Sequence, residues 1–321
     1  MTSEITADRT EHRQRPSTRP AVPKSRRRRG GWAGYLFLSP WLIGFILFTA
    51  GPLLASLGLS FTDYNPTSSP KWRGLGNYRQ MLEDPRLASS VGTTLLYVAI
   101  SLPLSLVAAL AVALLLNRDL RGMGFYRAVY YLPSLMGGSV AIAVVWRKLF
   151  GLGGAADAVL GWLGVQNADQ LSLVDDVRYA IYSLVTLNAW QFGAPMIIFL
   201  AGLQQVPNEL YDAASVDGCG AVRRFIHVTV PMITPVIFFN LVLGVIGGFQ
   251  TFTNAYVISG GTGGPVNATL FYALYLYQRA FQGFEMGYAS AMAWALLLGI
   301  ATFTGLLFWT QRRWVHYGDE R

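Results

Sequence analysis

Along the chain, apolar residues come in long unbroken runs rather than in the alternating or three-to-four spaced patterns of soluble domains. Six runs, at about 35–59, 91–116, 126–146, 178–203, 232–258 and 287–310, hold no charged residue away from their ends. A helix needs roughly 20 apolar residues to cross a hydrocarbon core about 30 Å thick, and each run meets that length. None alternates with the period of two that a transmembrane β-barrel strand requires. Aromatic residues gather at the run ends (Trp32 with Tyr35, Tyr126 with Tyr130 and Tyr131, Trp146, Trp309 with Trp314), the position of an interfacial belt. The pattern predicts an all-α polytopic membrane protein with six transmembrane helices.

Composition supports that class. Of 321 residues, 53% are hydrophobic and 13% charged, too few charges to coat a soluble globule of this length. The single cysteine, Cys219, excludes an intrachain disulfide framework and a cysteine-built zinc site. Seventeen of the 25 Lys and Arg fall on one side of the six runs: in the tail 1–31 with Arg26–Arg29, at Arg118, Arg121 and Arg127, at Arg223 and Arg224, and at Arg312, Arg313 and Arg321. The positive-inside rule then places both termini and residues 204–231 in the cytoplasm. Residues 1–31 form a basic tail expected to be disordered, 32–310 the transmembrane domain, and 311–321 a short cytoplasmic tail. The arginine run beside the first span is read as a topology signal that touches anionic membrane lipid, with no nucleic-acid partner. A cleaved secretory signal is not expected, because the first apolar run is too long.

Every Lys, Arg, Asp and Glu lies in a tail, a loop or a span end. An ion-coupled carrier usually needs such groups, or oxygens that coordinate a cation, near mid-membrane. The acids Asp157, Asp169, Asp175 and Asp176 of the third connection lack the spacing of a calcium loop and are read as solvated. His12, His227 and His316 are far apart and outside the runs, so neither a metal site nor a catalytic constellation is expected, and the chain reads as no enzyme. No Gly-x-x-x-x-Gly-Lys-Ser/Thr phosphate loop is present, so energy for uphill transport has to enter from another subunit. The alternatives are an ion-coupled secondary carrier and a membrane enzyme.

The cytoplasmic connection 204–231 carries the most specific pattern. Pro207 suits a helix start, Glu209 and Asp212 complement its positive end, and Leu210, Ala213 and Ala214 form a small apolar stripe. Gly218 is expected to end that helix, and a second one to run from about Gly220 to His227 before Pro231. Asp212-Ala213-Ala214, then Gly218, then Val228, Val230 and Pro231 resemble the EAA loop of permease subunits in bacterial binding-protein-dependent ABC importers. Asp212 stands where that signature has Glu, and Val230 where it has Leu. Leu38-Ser39-Pro40, Gly51-Pro52, Ser60 to Tyr64, Gly74 to Tyr78, Tyr131-Leu132-Pro133 and Gly263-Gly264-Pro265 are similar to the maltose-type sugar permeases.

The resemblance implies a type I ABC importer permease fold in a bacterial inner membrane. It implies a second homologous permease subunit, two ATPase subunits that bind ATP and Mg, an extracellular solute-binding protein and a sugar substrate, with no cofactor on this chain. It also implies that Asp212, Ala213, Ala214, Asp217 and Gly218 couple to the ATPase. The substrate pathway is expected at Asn188, Trp190 and Gln191 in the fourth run and at Gln250, Phe252, Thr253 and Asn254 in the fifth. These stretches combine aromatic faces with amides and hydroxyls, the groups that recognise sugars. With no central Arg or Lys, a neutral mono- or oligosaccharide is favoured over glycerol phosphate.

Overall fold

The computed structural model describes residues 31–118, 121–164 and 172–316. Among these the fold is helical; the only β contacts are isolated bridges, Thr62 with Trp72 and Asn65 with Ser68. The basic tail therefore lies outside the described residues, as does Asp169.

The chain divides into two units, one ending at Pro52 and one from Leu53 onward. The first holds α1 (Gly31–Phe45) and a π turn at Ile46–Ala50; the Trp41 and Phe45 rings stack at 5.4 Å. Helix α2 (Gly51–Leu59) completes an apolar helical run of 25 residues, Tyr35–Leu59, which agrees with the first expected span.

In the second unit, α3 (Gly76–Glu83) precedes α4 (Pro85–Leu116), which starts six residues before the expected run. Asp84 sets that start. Its Oδ1 accepts from the backbone N–H of Arg86 and Leu87, and Pro85 occupies the first turn, where no N–H is needed. The third run is not one straight helix. Helix α5 (Met123–Leu135) stops after Pro133, Gly137 and Gly138 follow, and Ser139 caps α6 (Val140–Phe150), whose Ala141 N–H it accepts. The axis turns by 92° between α5 and the segment from Val140 to Trp162, which includes α7 (Ala155–Trp162). Glycine pairs and proline allow such a break because both weaken the helical ladder.

The fourth run bends by 42° at Gln191–Phe192, between α8 (Ala180–Trp190) and α9 (Gly193–Leu203). The fifth divides at residues 250–252 into α13 (Thr234–Phe249) and α14 (Thr253–Ile258). Short α15 (Tyr272–Tyr277) leads to α16 (Met286–Gln311), an unbroken span. Among the described residues, four helices are long and apolar enough to cross a membrane, and up to six spans result when each bent pair counts as one.

The core forms two clusters. One is built on Tyr97, Trp146, Leu184, Leu187, Phe271, Tyr275 and Met292. The other, on Ala109, Ala113, Met196, Phe199, Leu203 and Ile233, packs α4 against α9 and the start of the fifth run. Glycines let these helices approach: a Cβ on Gly248 would lie 2.8 Å from Val98, and one on Gly193 would lie 2.7 Å from the Tyr130 carbonyl. Asp157 is buried rather than solvated, because its Oδ2 accepts the Gly153 N–H at 2.7 Å in the turn before α7.

Candidate functional site: an amide-lined cleft and a surface helical hairpin

Residues 204–232 fold as a helical hairpin. Helix α10 (Asn208–Val216) follows Pro207, and α11 (Ala221–Arg224) passes through a π turn, Phe225–Thr229, into α12 (Val230–Met232). The second limb is thus longer than expected: it starts at Ala221, runs past His227 and continues to the edge of the fifth span.

Gly218 ends α10 in a left-handed conformation, φ +73°. Its N–H donates to the Ser215 carbonyl at 3.1 Å and the Cys219 N–H to the Ala214 carbonyl at 2.9 Å, the two bonds of a Schellman stop. No atom lies within 4 Å of where a Gly218 Cβ would stand, so the requirement for glycine comes from the backbone angle, not from crowding. Asp212, Ala213, Asp217 and Gly218 are exposed on the surface of the hairpin; Ala214 faces inward and is buried. The apolar stripe is therefore split, since Leu210 and Ala213 also look outward.

A cleft of about 300 Å³ opens between α4, α5, the α8–α9 bend and α13. Asn188 and Gln191 line it, joined by Ser101 and Ser105 one turn apart on α4, Ser134 on α5 and Asn240 on α13. Asn240 is 4% exposed, and its Nδ2 has no hydrogen-bond partner; nor does Nε2 of Gln191. Buried amide donors are normally satisfied; these two nitrogens are enclosed in the wall of the cleft rather than on its open face. Ala194 and Pro195, in the uncapped first turn of α9, complete the wall.

The remaining expected pathway residues lie elsewhere. Trp190 packs on Trp146, with ring centroids 5.9 Å apart. Gln250 lines a separate, mostly apolar groove with Ile246, Leu276 and Thr304. Phe252 joins Tyr256 and Tyr277 in an aromatic cluster with centroid distances of 5.2 to 5.5 Å. Thr253 and Asn254 do not line the cleft, although the Asn254 Oδ1 is buried without a partner. Ser101, Ser105, Ser134 and Asn240 line the cleft without being among the residues expected from the sequence. Their signal was present: hydroxyls at i and i+4 in one apolar run and a lone amide in another.

At the other end of the helices a polar network joins the start of α4 to the segment before α16. Asp84 Oδ2 accepts from the Tyr275 hydroxyl at 2.6 Å and the Tyr288 hydroxyl at 2.9 Å, and Arg279 pairs with it at 3.4 Å. Burial pushes the Asp84 carboxyl up, but these hydroxyls and the Leu87 and Arg86 N–H groups outweigh it and hold the carboxyl below its usual range. The Tyr275 phenol is pushed up to about 12 by burial and by the Asp84 bond. Among the described residues, no group of three or more His, Cys, Asp and Glu is placed to hold a metal ion.

Comparison with known proteins gives one consistent answer. Residues 118–316 match the family model described as "Binding-protein-dependent transport system inner membrane component". The chain is 48% identical over 302 residues to the probable ABC transporter permease protein YesP of Bacillus subtilis (strain 168), covering 94% of this chain and 97% of that protein. It is 30% identical to the lactose transport system permease protein LacF of Rhizobium radiobacter, over 87% and 94% of the two chains. A crystallised bacterial alginate ABC transporter, solved with an alginate pentasaccharide-bound periplasmic protein, superposes with a TM-score of 0.73 at 20% identity, over 88% of this chain and 94% of that one. The family match spans the surface hairpin, the cleft's α8, α9 and α13, and the last helix. The chain is a member of the binding-protein-dependent transport family of inner-membrane components.

Proposed function

We propose that this chain is the permease subunit of an ATP-driven importer that moves a sugar through the Asn188–Gln191–Asn240 cleft by alternating access. It works with a second permease of the same kind, two ATPase subunits that bind ATP and Mg, and an extracytoplasmic solute-binding protein. Both termini and the α10–α12 hairpin face the cytoplasm. The observation that carries this reading is the hairpin: Asp212, Ala213 and Asp217 stand exposed around a glycine-stopped helix at the end of the fourth and fifth spans, a small-residue surface for a partner to grip. Lactose in the name of one relative supports a glycan as cargo. The cleft's amides and hydroxyls, with no ionisable side chain on its wall, suit a neutral sugar.

The experiment is affinity purification of the tagged chain in mild detergent with mass spectrometry of its companions, for wild type and Gly218→Trp. An ATPase with a P-loop and a second permease are expected with the wild type, and at least fivefold less ATPase with the variant. A bulky residue at φ +73° costs about 1–2 kcal/mol and displaces the exposed hairpin tip. Recovery of the chain without any ATPase would refute the reading. Growth of a deletion strain on a panel of mono- and oligosaccharides then identifies the cargo.

A further inference from the structure

The two limbs of the hairpin are joined by a partly buried bond. The hydroxyls of Tyr211, on α10, and Thr229, in the π turn, lie 3.1 Å apart, and Thr229 is 5% exposed. The Tyr211 ring also packs on the Met196–Phe199–Ile233 core, so α10 is held to the spans at this point. A second link, from Arg224 Nη1 to Ser215 Oγ at 3.0 Å, is exposed and competes with water.

The bond sits in the weakest stretch of helical ladder in this part of the chain. The π turn closes with the Val230 N–H on the Phe225 carbonyl, one residue wider than an α turn. Pro231 and Pro235 then remove two more N–H donors, and Ile233 leaves helical geometry at φ −95°, ψ 6°. Beyond this stretch α13 begins, and its Thr234 accepts the His316 backbone N–H at 3.0 Å, tying in the end of the last span. A weakened helical segment bridged to α10 by a partly buried hydrogen bond is the mechanical arrangement of a joint.

We infer that Tyr211 and Thr229 form the joint that passes displacement of α10 into the fifth span, and that both are positioning residues for transport. The inference rests on the reading of this hairpin as the ATPase docking element. Without the bond, α10 follows the ATPase while the π turn absorbs the motion. Nucleotide closure then no longer reaches α13.

The test uses the complete importer in a Cys219→Ser background, with nitroxides on Leu115→Cys in α4 and Phe239→Cys in α13, both exposed positions. The inter-label distance is measured before and after trapping with Mg-ATP and vanadate, for the otherwise unaltered chain, Tyr211→Phe, Thr229→Val and the double variant. Tyr211→Phe keeps the ring in the core and removes only the hydroxyl. The expected result is a distance change in the unaltered chain that falls by more than half in either single variant, and no further in the double. The amounts of ATPase bound and vanadate trapped stay unchanged. A full distance change in Tyr211→Phe, additive losses, or no change in the unaltered chain with nucleotide trapped would each overturn the joint while leaving docking intact. Loss of ATPase from the variants would reduce the pair to a structural role. An unaltered chain that carries no ATPase would remove the docking reading itself.

Discussion

Asn240 is the side chain at which cargo contact in the proposed cleft and packing of α13 can be told apart. It is 4% exposed, its amide nitrogen has no partner, and it stands in an otherwise apolar stretch of α13. An unsatisfied buried donor costs about 1–3 kcal/mol, so an apolar residue of similar shape is neutral or better for stability. Asn240→Leu is therefore expected to leave the melting temperature in detergent unchanged or raised, while uptake of the sugar found by the growth panel falls at least tenfold. A lower melting temperature with normal uptake would make Asn240 a structural amide. In the sequence this residue was one polar letter in an apolar run. Gln250 and Phe252, in a denser polar and aromatic stretch, drew the attention instead. Their segment lies across the break at 250–252, and past a break helical spacing no longer says which way a side chain points.

Among the elements, the Asp84 network joins the start of α4, the segment around α15 and the start of α16 through one carboxylate. Its pKa is depressed in the folded protein, so the stabilisation it provides is present above the ordinary carboxyl range and is lost as pH falls toward the folded value. Asn is as good a helix cap as Asp but carries no charge for Arg279. Wild type is therefore expected to lose thermal stability between about pH 5 and 3 more steeply than Asp84→Asn, which starts lower at neutral pH. Melting temperatures of the two proteins measured side by side across this pH range would show the steeper loss, and identical slopes would argue against a stabilising charge. The apolar run, which begins at about 91, does not mark the helix start at Asp84-Pro85. Nor does it mark the 92° turn after α5. Pro133 and Gly137-Gly138 permit a break, yet the residues on both sides remain apolar and read as one run.

For the molecule as a whole, orientation is the property that joins the cleft to its energy source. The positive-inside count predicts a cytoplasmic hairpin, and Cys219, the only cysteine, lies on that hairpin with partial exposure. In cells lacking the ATPase, a membrane-impermeant maleimide is expected to label Cys219 in everted vesicles and to leave it unmodified in right-side-out ones. The reverse labelling would invert the topology and place the hairpin out of reach of any cytoplasmic ATPase.

What the sequence determined by itself follows from forces that act locally. Hydrocarbon excludes charge, so run length marks the spans, and glycine takes a left-handed angle cheaply, so Gly218 marks the end of α10. The tertiary structure decided everything that depends on which surfaces meet. It bent two of the runs, buried Asp157, and drew Ser101, Ser134, Asn188, Gln191 and Asn240 from four separate runs into one cleft. It also set Tyr211 against Thr229 across the hairpin. An apolar run looks the same to lipid, to a neighbouring helix and to a cavity, because each of them accepts hydrocarbon. Only the packed helices show which of its polar side chains are left without a partner.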